Sequence, residues 1–296
     1  MKRLYNYFVY GSLLFLAIYL ARRGFLEIPN VRSLGPLLLS LPFLVGGFLG
    51  TAFAWQRILN KYGFSIGVAE SIASMGISVF GKYIPGKVWS VVGRAAYLAG
   101  RKDHSLGALS AASLQETVIA LWTGLVFGTV ALLQVGRLEQ FGWLMALTWV
   151  ALSIYIFSPV VHGAVERAVR LGLRREIKLP TLDLRSTLAV LPWLVAYWLV
   201  WSVGFHLLVR ALSTVELTTS PAFAFPLATT LSTIAVFAPG GLGVREGVMA
   251  AYLSYAGVPL AEAATISVAS RLWFLLGEVA YFLSGLAAAK LGKKRR

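Results

Sequence analysis

Gly81-Lys82-Tyr83-Ile84-Pro85-Gly86-Lys87 and Pro239-Gly240-Gly241-Leu242-Gly243-Val244-Arg245-Glu246 interrupt two stretches, 66–100 and 221–257, that are otherwise apolar enough for a membrane. Proline removes a backbone donor and clashes with the preceding turn, and glycine weakens a helix. Neither belongs inside a plain spanning helix. Both breaks carry charge: Lys82 and Lys87 in the first, with Arg94 further along the same run, and Arg245 in the second. A cation at membrane depth costs about 2.5–3.5 kcal/mol on insertion scales. Broken backbone is tolerated there only where protein buries it or where it lines a polar cavity. The two breaks therefore read as two halves of one site for a charged group.

The composition agrees with that setting. Hydrophobic residues make up 58% of the 296 and charged residues 13%, against about 25% charged in soluble domains. A single transmembrane domain, 1–296, is expected, with no room for a large soluble one. There is no cysteine, so disulfides, thiolate metal sites and cysteine nucleophiles are excluded. His104, His162 and His206 are scattered, with no metal-ligand spacing. No His–acid pair or carboxylate cluster stands at a spacing suited to catalysis. No catalytic residue, metal or cofactor is assigned.

A spanning helix needs about 20 apolar residues. Six stretches qualify: 5–21, 34–55, 105–133, 141–161, 187–209 and 261–289. The first follows Met1-Lys2-Arg3, as a signal peptide would, but it is long for one. Tyr19-Leu20-Ala21-Arg22 is also a poor cleavage context, so it is expected to stay as a helix. The runs that flank each break are too short to span. The expected fold is an all-α polytopic membrane protein with about six spanning helices plus two re-entrant broken-helix hairpins. Two full but tilted helices per interrupted stretch are the alternative.

Cytoplasmic loops of membrane proteins concentrate Lys and Arg. With the N-terminus inside, seventeen of the 27 cations fall on the cytoplasmic side, five outside and five within membrane segments. Both termini and the loop at about 162–186 are therefore expected in the cytoplasm, in a multi-pass protein of the plasma (inner) membrane. Arg22 and Arg23 are the misfit. The net charge of +15 follows from this topology and does not point to nucleic acid. The tail Lys290-Leu291-Gly292-Lys293-Lys294-Arg295-Arg296 is a juxtamembrane basic cluster suited to anionic lipid.

The interrupted stretches resemble each other. At an offset of 154, Pro85-Gly86 falls on Pro239-Gly240; one residue later, Ala95-Ala96-Tyr97-Leu98 falls on Ala250-Ala251-Tyr252-Leu253, and Glu116 on Arg271. Each repeat unit, about 1–135 and 140–290, would cross the membrane an odd number of times, so the second lies inverted. Inverted repeats with broken helices meeting near the midplane are a transporter plan. Glu116 and Arg271, equivalent in the two units, are expected to meet across the pseudo-twofold axis.

A helix that begins after a break directs its first N–H groups at the gap, and nearby cations make that an anion site. Lys82, Lys87, Arg94 and Arg245 are the candidate contacts for a phosphate, with Gly240 and Gly241 letting backbone approach it. Glu70, Glu116, Glu246 and Arg271 are candidates for counter-charge and gating. Five unpaired intramembrane cations (Lys82, Lys87, Arg94, Arg245, Arg271) would cost about 15 kcal/mol at about 3 each, so some must pair with the acids Glu70, Glu116, Glu246 and Glu278. Glu70, Ser74, Ser78 and Lys82 recur every fourth residue and mark a polar helix face, either a headgroup path or a packing surface. Gly81 to Lys87 also matches most of a phosphate-loop pattern. Val88 stands where Ser or Thr should hold magnesium and no strand precedes it, so nucleotide hydrolysis is rejected.

At these residues the chain resembles the transmembrane flippase-like domain of lysylphosphatidylglycerol synthases, the membrane part of the multiple peptide resistance factor, and its stand-alone relatives. The resemblance rests on Gly81-Lys82-Tyr83-Ile84-Pro85-Gly86-Lys87-Val88-Trp89 with Arg94, on Pro239 to Glu246, and on Glu116 and Arg271. It implies lipid translocation between leaflets, with aminoacylated phosphatidylglycerol as cargo in two-domain members. The chain stops at Arg296, after its last helix, so synthesis of lysyl-lipid is not expected. Phospholipids, polyprenyl-phosphate carriers and glycolipids stand as alternative cargo. The expected partners are membrane lipids with anionic headgroups, and a homo-oligomer is left open. The competing readings are a non-transporting partner that presents lipid to a glycosyltransferase or synthase, and an integral-membrane lipid-phosphate enzyme.

Overall fold

The computed structural model describes residues 30–84, 88–100, 104–135, 138–161, 163–164, 167, 184–216, 221–235 and 238–294. These residues build an all-α polytopic membrane protein. Five helices are long and apolar enough to cross a membrane: α1 (Leu34–Lys61), α4 (Leu106–Leu133), α5 (Glu139–Phe157), α6 (Leu184–Leu212) and α9 (Leu260–Lys294). They coincide with five of the six expected spans. The sixth, 5–21, lies outside the described residues.

Each interrupted stretch is a pair of short helices. The first is α2 (Val68–Ser78) and α3 (Val88–Ala99), with a 3₁₀ turn at Val79–Tyr83; the second is α7 (Ala224–Ile234) and α8 (Val244–Tyr255), with a 3₁₀ turn at Pro239–Gly241. The arms are 11 or 12 residues long. At 1.5 Å per residue none reaches across a hydrocarbon core about 30 Å thick. The arms of each pair pack on one another.

The helices interlock. α1 and α6 form the largest contact and run antiparallel, since the Arg32 N–H at the entry to α1 donates to the Ala211 carbonyl near the end of α6 at 3.0 Å. The first arm of each hairpin packs on the long helix that follows the other hairpin: α2 on α9, and α7 on α4. Gly76 permits the first of these crossings, because a Cβ there would stand 2.5 Å from the Tyr281 carbonyl oxygen. As a result the two 3₁₀ turns touch each other inside the bundle.

Beneath that junction lies an aromatic core. Trp201 packs edge-on against Phe48 at 5.1 Å and Phe274 at 5.4 Å, and Phe225 meets Phe274 at 5.3 Å. The face with Glu70, Ser74, Ser78 and Lys82 is turned mostly inward. Ser74 and Ser78 are buried and donate to carbonyls of their own helix, at Ser71 and Ser74. Here the serines serve packing. By contrast α5 exposes Trp143, Leu144 and Leu147, the surface expected of a helix bathed in lipid.

Candidate functional site

Where the two breaks meet, five charged side chains converge. Lys82 lies on the first 3₁₀ turn and places its Nζ 2.5 Å from Oε1 of Glu278, on α9. The Tyr83 hydroxyl donates to Oε2 of the same carboxylate at 2.7 Å. Arg271, two turns before Glu278 on the same face of α9, donates from Nη1 to the Gly240 carbonyl at 3.1 Å. That nitrogen is 3.7 Å from Oε1 of Glu246, and the guanidinium lies over the Tyr83 ring at 5.1 Å. Glu246 is itself held in place: its Oε2 accepts the Gly243 N–H at 2.7 Å, which caps the start of α8.

Arg245 is the remaining member. It is 3% exposed, and its guanidinium lies over the rings of Phe225 at 4.8 Å and Phe274 at 4.4 Å. Its Nε and Nη2 are buried without a hydrogen-bond partner among the described residues. Lys82 shares the Phe274 ring at 4.8 Å. Among the described residues the cluster thus sets three cations (Lys82, Arg245, Arg271) against two carboxylates (Glu246, Glu278). One unit of positive charge is left over, in a region where unpaired charge is costly.

The model of the family described as "Lysylphosphatidylglycerol synthase TM region" matches residues 4–277. The chain belongs to this family. Among curated proteins none matches it. The match covers both breaks and all five charged residues of the cluster except Glu278, which stands one position beyond it. Membership assigns the chain to a membrane, lipid-related family.

Within this lysylphosphatidylglycerol synthase TM family chain, the expected site residues do not all converge. Lys82, Gly240, Arg245, Glu246 and Arg271 come together, with Gly241 adjoining. Lys87 lies outside the described residues. Arg94 and Glu116 form a separate pair, with Arg94 Nη2 2.7 Å from Oε2 of Glu116. That nitrogen also donates to the Ser113 carbonyl at 2.5 Å, Nη1 reaches the Met75 sulfur, and the guanidinium lies over the Trp55 ring at 4.4 Å. Arg94 is thus held by Glu116 on the neighbouring helix α4. Glu70 caps the start of α2, accepting the Gly67 N–H at 3.0 Å.

The expected meeting of Glu116 and Arg271 does not occur. Each pairs with the second arm of its own hairpin: Glu116 with Arg94 on α3, and Arg271 with Glu246 on α8. Glu278, expected only as an available counter-charge, joins the site together with Tyr83 and Phe274, which were not expected. Glu278 carried a legible signal, since it follows Arg271 by seven residues and so shares its helix face. The aromatic residues carried none, being indistinguishable from core.

Proposed function

We propose that this protein binds the phosphate of a membrane lipid at the junction of its two broken hairpins and moves that lipid between leaflets without nucleotide hydrolysis. The observation that carries the reading is Arg245, buried with unpartnered donors beside Lys82 and Arg271, where one anion would complete the pairing of charge. Lys82 offers the phosphate a point charge, and the Arg245 guanidinium offers a fork suited to phosphate oxygens or to a carboxylate that the phosphate displaces. The acyl chains stay in the surrounding lipid while the headgroup enters the polar junction. The hairpins are re-entrant, and with the long helices they form two inverted units of about 1–135 and 140–290. The swapped packing of α2 on α9 and α7 on α4 supports this. The protein lies in the plasma (inner) membrane with both termini in the cytoplasm.

The test is leaflet exchange in reconstituted vesicles, using a head-labelled phospholipid and an impermeant quencher. Exchange should exceed that of protein-free vesicles and should fall at least about tenfold in Arg245→Ala, the loss of one charged hydrogen-bonding contact. Exchange no faster than in empty vesicles would overturn transport. Lipid retained on the purified protein without exchange would instead indicate a protein that presents lipid to a partner enzyme.

A further inference from the structure

Lys82 and Arg245 differ in access. The Lys82 side chain is 29% exposed, whereas Arg245 is 3% exposed and Glu278 fully buried. An anion entering the junction therefore meets Lys82 first, and finds its ammonium already held by Glu278. Glu278 in turn is bound by Lys82 and Tyr83 from the first break and interacts electrostatically with Arg245 from α8. Beside it on α9, Gly277 packs against Phe48 and Leu44 of α1.

We infer that Glu278 is a tethered competitor of the lipid phosphate: it occupies Lys82 in the empty site and passes to Arg245 when a phosphate takes the ammonium. This rests on the proposed function. The charge balances without proton transfer. Before binding, three cations face two carboxylates and Arg245 is the odd one; after binding, they face two carboxylates and one phosphate charge. The unpartnered Nε and Nη2 of Arg245 supply the receiving donors. A built-in competitor keeps affinity low enough for release on the far side, as any site on a transport path requires.

The experiment measures binding of dihexanoyl phosphatidylglycerol to the detergent-solubilised protein by intrinsic tryptophan fluorescence, with inorganic phosphate as a second probe. Glu278→Gln should bind the lipid about tenfold or more tightly than wild type, since one charged competitor is gone. In a Lys82→Gln background the same change should bring no gain, because the competition is for that ammonium. Glu278→Asp, whose shorter arm retracts from Lys82, should give a smaller gain and serves if Glu278→Gln does not fold. Inorganic phosphate competing as well as the lipid would make free phosphate the ligand of the same exchange. Unchanged or weaker binding in a folded Glu278→Gln or Glu278→Asp variant overturns the competitor role and leaves the headgroup site standing. An equal gain with and without Lys82 also overturns it. No binding of either probe to wild type overturns both.

Discussion

The ring of Tyr83 lies against the backbone of Gly240, so close that a Cβ at residue 240 would stand 2.5 Å from it. This contact joins the two breaks directly. Tyr83 cannot easily retreat, because its hydroxyl is bonded to Glu278. Gly240 also has φ 58° and ψ 14°, the left-handed region that costs other residues about 1–2 kcal/mol. Gly240→Ala should therefore destabilise the protein by about 2 kcal/mol or more, through backbone strain and the clash together. Thermal melting in detergent measures this; an unshifted midpoint would show that the breaks do not touch as described.

Arg94 and Glu116 should behave as a strut. Both are buried, at 5% and 6% exposure. Removing one partner strands the other, typically at about 3–5 kcal/mol, whereas replacing both with apolar residues of similar size is milder. Arg94→Met and Glu116→Leu should each lower stability more than the double variant. If the double variant is the least stable of the three, the pair is not a self-contained strut.

Glu70 should matter for stability and not for headgroup binding. Its carboxylate caps α2, and loss of a cap costs about 1 kcal/mol. Glu70→Ala should show that modest loss with lipid affinity unchanged. A clear fall in affinity would return Glu70 to the headgroup path.

Membrane orientation can be read at two exposed positions at opposite ends of the α1–α6 pair. Lys61 ends α1, and Glu216 follows α6, whose end adjoins the start of α1. With both termini cytoplasmic, Lys61→Cys should be protected from impermeant thiol reagents in intact cells and Glu216→Cys should label. The opposite pattern would invert the topology.

The local chemistry of the chain determined its helices. Runs of about 20 apolar residues have few stable alternatives in lipid, which is why α1, α4, α5, α6 and α9 stand where the sequence places them. Proline and glycine disfavour helix by steric and donor effects that act within a turn, so both interruptions were legible too. That charges inside the membrane need partners was equally plain. Which partner each took was decided only by tertiary structure. Arg94 and Arg245 look alike in sequence, each a lone Arg in a short helix after a break. Arg94 meets Glu116 because α3 packs on α4; Arg245 meets Phe225 and Phe274 because α7 and α9 bring rings beneath α8. An ion pair depends on which helices adjoin and at what depth, and that information lies in the interlocking of elements far apart in the chain.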